Sequence, residues 1–262
     1  MPADTAARID VLGHGIDAIT LTAAVDRVVG WAKEGLSRYI CLCNVHVVVT
    51  AGRQANLSET VTCSDLALPD GAPIAWAMRR GGVRNQARVA GPDVMRAVCE
   101  RAATLSIAVY LYGSTCETLT RLIQALRVAF PDLVVAGSHS PPFRELSMEE
   151  DNSIVQAMNS SGARIVLVGL GCPKQELWMA AHRGRVQAVM LGVGAAFDFH
   201  AGTVRRAPVW MQRTGLEWLH RLASAPRHLW KRYLVTNSIF LWRVSTEPLR
   251  RRLRGLLLPL RN

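Results

Sequence analysis

Three short stretches of the sequence carry side chains suited to group-transfer chemistry. In Leu68-Pro69-Asp70-Gly71-Ala72-Pro73 a carboxylate leaves a short apolar run between a proline and a glycine, residues that rigidify and sharpen a turn. An aspartate so placed can cap the following helix or serve as the general base on an attacking hydroxyl. In Arg88-Val89-Ala90-Gly91-Pro92-Asp93 the glycine allows close backbone approach, and a helix opening at Pro92 offers unpaired N–H groups and a positive dipole end to a phosphate. Arg88 adds a forked donor for the same anion. The third stretch, Gly169-Leu170-Gly171-Cys172-Pro173-Lys174-Gln175-Glu176, follows an apolar run and opens a helix. It has neither the spacing of a dinucleotide fingerprint nor the Gly-Lys-Ser/Thr of a P-loop. Lys174, Gln175 and Glu176 nevertheless cluster on its first helical turn, placed to meet a phosphate, sugar or base. Gly113, in Tyr112-Gly113-Ser114, is a further candidate for a phosphate or ribose loop.

The elements that must hold these loops show as short β-rich runs alternating with helical patterns. Strands are expected over 39–43, 66–68, 107–112, 133–136, 164–169 and 187–191. Helices are expected over 45 to about 56, 75–80, 92 to about 104, 115–130, 148–159 and 173–183. This rhythm calls for an α/β fold: a Rossmann-like, mostly parallel sheet with helices on both faces. The runs Ile107–Leu111 and Ile165–Val168 lack polar alternation, as strands buried on both faces do. In such sheets ligands bind outside the carboxyl ends of the strands, where all the candidate loops fall.

Charge is distributed unevenly along the 262 residues. The net charge is +11. Residues 1–202 hold 18 Lys and Arg against 18 Asp and Glu, whereas residues 203–262 hold 13 against 2. A boundary near Ala201–Thr203 therefore separates an α/β core, 1–202, from a basic helical appendage, 203–262. In that appendage Arg205, Arg206, Arg213, Arg221, Arg227, Lys231 and Arg232 interleave with Trp210, Trp218, Trp230 and Tyr233. Arginine, tryptophan and leucine on amphipathic helices favour an anionic lipid–water interface. A nucleic-acid arm also uses arginine and aromatics, but it has no need of Leu234, Ile239, Phe240, Leu241 and Leu256–Leu258. A membrane surface, not nucleic acid, is therefore the expected partner.

The six cysteines include no Cys-x-x-Cys pair, so no zinc or disulfide framework is visible. The seven histidines are scattered, with His46 and His200 closest to the candidate loops; they read as structural or binding residues and no metal site is expected. The N-terminal residues do not resemble a secretion signal, and no run reaches the length of a membrane-spanning helix. Asp198, between aromatics in the small-residue run from Gly192, reads equally as a satisfied core polar group. A dinucleotide-dependent oxidoreductase is disfavoured by the missing fingerprint, and a non-catalytic nucleotide-binding module on the membrane surface by the gathering of Asp70, Arg88 and Gln175 at one sheet edge.

The stretches CLCNVHVVVTA (41–51), LPDGAPIAW (68–76), RVAGPD (88–93), YLYGS (110–114), GLGCPKQELW (169–178), GVGAAFDFHAG (192–202), RRAPVWMQRTGLEWLHRL (205–222) and PRHLWKRY (226–233) together resemble the WecG/TagA/CpsF family of bacterial glycosyltransferases, glycosyltransferase family 26. The resemblance spans nearly the whole chain, in order. It implies inverting transfer of a hexose or N-acetylhexosamine-type sugar from a UDP-sugar to an undecaprenyl-diphosphate-linked sugar, with no cofactor or bound metal, in bacterial surface polysaccharide synthesis. It implies a protein peripheral on the inner face of the cell membrane, with an appendage that targets the membrane and helps complete the active site; a homo-oligomer is compatible with it. By position, Asp70 would be the general base and Asn44 would lie in the loop by the sugar. Arg88 and Gln175 would contact substrate or donor, and appendage arginines, Arg221 the clearest match beside Arg206 and Arg213, would bind the diphosphate. Relatives often carry threonine two residues before the asparagine, where this chain has Leu42, a departure that bears on sugar specificity.

Overall fold

The computed structural model describes residues 7–224, 230 and 233–246. It opens with an antiparallel hairpin, β1 (Arg8–Val11) and β2 (His14–Asp17), followed by α1 (Leu21–Lys33), whose Thr20 side chain caps the helix by accepting from the Ala23 N–H. Six strands then build one parallel sheet: β3 (Arg38–Cys43), β4 (Leu66–Pro69), β5 (Val109–Gly113), β6 (Val135–His139), β7 (Ile165–Gly169) and β8 (Val189–Gly192). Their order is β4-β3-β8-β7-β5-β6. The expected parallel sheet is the one observed.

Helices cover both faces, and the period of two along each strand decides which core each side chain joins. Ile40 and Leu42 of β3, with Leu66, Leu68, Val109, Leu111, Ile165, Leu167, Val189 and Leu191, pack under α1, α5 (Gly91–Thr104) and α6 (Cys116–Ala129). Tyr39, Cys41 and Cys43, with Ala67, Tyr110, Tyr112, Val166, Val168 and Met190, face the opposite layer. That layer is built from α2 (Val45–Ala51), α3 (Ala55–Thr62), α4 (Ala72–Arg80), α7 (Met148–Ser160) and α8 (Lys174–His182). None of the six cysteines is in a disulfide.

The single helix expected from Val45 to about Asn56 is instead two. Gly52 closes α2, its N–H bonding back to Val48 and Thr50, and α3 restarts after Gln54. Glycine is a poor helix residue, and a Cβ there would sit 2.6 Å from the Arg243 guanidinium. The hairpin and α1 lie where the sequence carried no expectation.

Beyond β8 come α9 (Ala196–His200), α10 (Val209–Thr214), α11 (Glu217–Ser224) and the helical residues 233–246. Gly215, left-handed at φ 78°, ends α10 and rests against Ala72, whose Cβ would be 2.9 Å from one added at 215. Phe240 is buried in the α2-side core. The segment after residue 202 thus folds back onto the sheet's carboxyl edge. Arg227, Lys231, Arg232 and Leu256–Leu258 lie outside the described residues. Among the described residues no helix is long and apolar enough to cross a membrane.

Candidate functional site

A cavity of about 470 Å³ opens at the carboxyl ends of β3, β4, β7 and β8. Each loop is placed there by backbone bonds at the strand ends. Asp70 follows β4 directly, its N–H donating to Cys43 and Leu68 carbonyls at 3.2 and 2.9 Å. Val89 N–H donates to the Pro69 carbonyl at 2.8 Å, which draws the Arg88 loop alongside. Asn44 follows β3, and its Oδ1 caps α2 by accepting from Val47 N–H at 3.1 Å. Its Nδ2 donates to Asp70 Oδ2 at 3.2 Å.

Asp70 is not a helix cap. Gly71 holds that position at α4, at φ 87°, with no side-chain cap bond. The carboxylate instead lines the cavity. Burial pushes its pKa up; the Asn44 amide, the Arg221 guanidinium and the Gly91 N–H oppose that rise, and the Glu217 carboxylate adds to it. A carboxylate with a raised affinity for protons, partly fixed in orientation and facing a cavity, can take a proton from a bound hydroxyl.

Arg88 lines the cavity but is engaged by the segment after residue 202: Nη1 donates to Glu217 Oε2 at 2.6 Å and Nη2 to Gln212 Oε1 at 3.1 Å. Gly91 is the first residue of α5 and lines the cavity, and a Cβ there would meet Leu42 and the Val193 carbonyl at 3.3 Å. No side chain caps α5; the Gly91 N–H serves Asp70, and the N–H groups of Asp93 and Val94 bond to the Ala90 carbonyl at 3.0 and 2.9 Å. Arg221, on α11, also lines the cavity, stacks over the Phe199 ring at 5.3 Å and lowers the proton affinity of both Asp70 and Asp198. Burial raises the Asp198 pKa, against Arg221 and the Thr203 hydroxyl.

The loop after β7 is arranged differently. Gln175 lines the cavity, yet its amide bonds to the protein: Oε1 accepts from Gly171 N–H at 3.2 Å, and Nε2 donates to Glu176 Oε1 at 2.9 Å and to the Gly192 carbonyl at 3.1 Å. It joins the loops after β7 and β8. Glu176 is fully buried, its pKa raised by that burial, and among the described residues its Oε2 has no partner. Lys174 is exposed. Lys174, Glu176 and Gly113 are not among the lining residues. Gly113 packs against Gly169 so tightly that a Cβ would lie 2.7 Å from its backbone, and this contact between β5 and β7 accounts for the glycine.

Arg206 lies beside the cavity, donating to Asp93 Oδ1 at 2.6 Å and to Glu217 Oε1 at 3.5 Å. Arg213 is on α10, its side chain outside the described ones. Asn44, Asp70, Arg88, Gly91, Gln175 and Arg221 therefore share one cavity. The structure adds His46, Phe199, Glu217, Trp218, Tyr233, Thr236, Asn237 and Phe240 to its wall. His46 stands two residues after Asn44, in the first turn of the helix that Asn44 caps, a proximity visible in the sequence. Glu217 and Trp218 sit in the quoted GLEW run, but nothing local shows that they turn toward the sheet. Among the described residues no three His, Cys, Asp or Glu gather as a metal site.

The family model described as "Glycosyl transferase WecG/TagA/CpsF family" matches residues 9–254, which include every element named above except the first residue of β1.

Proposed function

The chain belongs to this glycosyltransferase family of cell-surface polysaccharide synthesis, and from that premise we propose that it moves a hexose or N-acetylhexosamine-type sugar from a UDP-sugar to an undecaprenyl-diphosphate-linked sugar, with inversion and without a metal. The observation that carries this reading is Asp70: a carboxylate of raised pKa, held by Asn44 in a cavity that also holds Arg221. Asp70 takes the proton of the acceptor hydroxyl as its oxygen bonds to the anomeric carbon of the donor. The bond from that carbon to the β-phosphate oxygen breaks on the opposite face, and UDP leaves with the electron pair. The developing phosphate charge is met by Arg221, which lines the cavity, a fixed positive group that needs no reorganisation.

Association with the cytoplasmic membrane surface is part of the same reading. Val209, Trp210, Leu219, Trp230, Leu234 and Trp242 are all exposed, in the region that holds the whole net positive charge. Apolar and aromatic side chains beside cations suit an anionic headgroup layer. A site next to that layer meets a lipid-linked acceptor without extracting it.

The test is transfer from a panel of UDP-sugars to a lipid-diphosphate-linked GlcNAc or glucose in EDTA, comparing the wild type with Asp70→Asn. Product that forms in EDTA and disappears in the variant supports the reading and names the donor. Full activity in Asp70→Asn removes Asp70 from the role of base. Tight liposome and UDP binding with no transfer from any donor would favour a binding-only module.

A further inference from the structure

The segment after residue 202 is fastened to the core by two crossed ion pairs. Arg88 of the core reaches Glu217 at 2.6 Å, and Arg206 of the segment reaches Asp93 of the core at 2.6 Å. Weaker contacts close the set, with Arg206 Nε 3.5 Å from Glu217 Oε1 and Arg88 Nη2 3.8 Å from Asp93 Oδ2. Asp93 also reaches both arginines, at 2.6 and 3.8 Å, but Glu217 is the carboxylate on α11 that joins them, one on each of its oxygens, at 2.6 and 3.5 Å. It is also the least accessible, its side chain 18% exposed against 20% for Arg88, 23% for Arg206 and 36% for Asp93. Among the described residues Arg206 Nη2 is buried without a partner. That guanidinium therefore depends on its two carboxylates, because a desolvated charge that loses its counter-charge is strongly destabilising.

Four residues on from Glu217, and so on the same face of α11, is Arg221, the cation that lines the cavity and acts on Asp70. This stretch is also held by the hydrogen bond from Arg88 to Gln212 at 3.1 Å, by Gly215 against Ala72 and by aromatic stacks: Arg221 lies over Phe199, and Trp218 meets Tyr233 at a centroid distance of 6.1 Å and a tilt of 51°. Such stacks tolerate sliding more readily than a carboxylate gripped at two oxygens by two guanidiniums.

We propose that Glu217 is a positioning residue for transfer: by joining Arg88 to Arg206 it fixes α11 across the sheet edge and so sets Arg221 toward Asp70. It acts through the two arginines, not on the sugar. The inference rests on the glycosyl-transfer reading above for its catalytic consequence but not for the clamp itself. A neutral amide at 217 keeps the size and can accept a hydrogen bond, yet removes the charge common to both arginines. Displacement of a charged group by about 1 Å can cost about 100-fold in rate. The loss should therefore fall in kcat more than in KM.

The experiment uses the full chain as wild type, E217Q, E217D, R221Q and E217Q/R221Q. Transfer is assayed with UDP-sugar and a lipid-diphosphate acceptor, and hydrogen exchange is followed over residues 209–224. E217Q should lower kcat by about 10- to 100-fold, and E217D, which keeps the charge and both oxygens, should recover most of that loss. The double variant should be no slower than R221Q, because Glu217 works through Arg221. Additive losses, or an E217D as slow as E217Q, overturn the proposal. Amides of 209–224 should exchange faster in E217Q while those of β3, β7 and β8 stay protected; unchanged exchange over 209–224 also overturns it. Should the wild type transfer no sugar, the functional reading fails, and the exchange measurement alone decides the clamp.

Discussion

The loops after β4 and β7 leave the same edge of one sheet, each carrying polar side chains from a buried strand toward a helix. After β4, Asp70 presents its carboxylate to the cavity, where an amide from Asn44 and a guanidinium from Arg221 act on it. After β7, Gln175 bonds to Gly171, Gly192 and Glu176, and Glu176 is sealed beneath it. The first loop keeps its functional group in a position to act on a ligand. The second uses its polar atoms to hold two loops at a fixed separation. Similar residue types at equivalent positions in the fold do different work because the groups that reach them differ.

The largest expected effect on this contrast comes from Asp70→Asn. Loss of a general base should lower kcat by about 1,000-fold, with UDP binding retained. The sign of the stability change is informative as well. The folded-state pKa of Asp70 is raised, so its contribution to stability is fullest below the usual aspartate range and is lost as pH rises through the folded value. The neutral variant escapes that loss, and its Tm at pH 7 should match or exceed that of the wild type. A lowered Tm with retained turnover would place Asp70 with the structural loop and dissolve the contrast.

Arg221→Gln tests the same carboxylate from its partner's side, with an expected drop in kcat of about 100-fold. Arg221 lowers the proton affinity of Asp70, so removing it should move the acid limb of kcat/KM to higher pH. A shift to lower pH would assign that limb to another group.

For the β7 loop the expected loss is in stability. Gln175→Leu strips side-chain partners from the Gly171 N–H and the Gly192 carbonyl, at a cost of about 2 kcal/mol in denaturant unfolding. Turnover lost at unchanged stability would instead move Gln175 to the ligand's side. The smallest effect belongs to Lys174→Ala. That side chain is exposed and lies off the cavity wall, so stability should change by no more than about 0.5 kcal/mol and kcat should stay close to that of the wild type. A large fall in kcat would bring a ligand to the outer face of the α8 start.

Much of the architecture is legible in the sequence because its signals are local. The apolar runs around Leu111 and Leu167 lack polar alternation, and both strands are buried on two faces. Pro69-Asp70-Gly71 marks a strand end by turn stereochemistry alone, and Pro92 marks a helix start. Where local signals compete, the expectation failed: a continuous apolar pattern through Val49 and Ala51 concealed the break at Gly52. Gly113 carries a loop-like signature although its tightest neighbour is the backbone of Gly169, since a glycine serves ligand approach and strand approach equally well.

By itself, then, the sequence determined the parallel sheet, the placing of Asn44, Asp70 and Gly91 at strand ends and helix starts, and the concentration of positive charge after residue 202. These follow from backbone sterics, side-chain period and composition, all read within a few residues. Only the tertiary structure decided that Glu217 meets Arg88 across 129 positions of sequence, that Gln175 braces loops beside the ligand space, and that Lys174 stays outside it. Such pairings depend on which surfaces are desolvated against each other when the last helices close over the sheet. Ion pairs and buried amides gain their strength from that shared desolvation, and no local pattern records it.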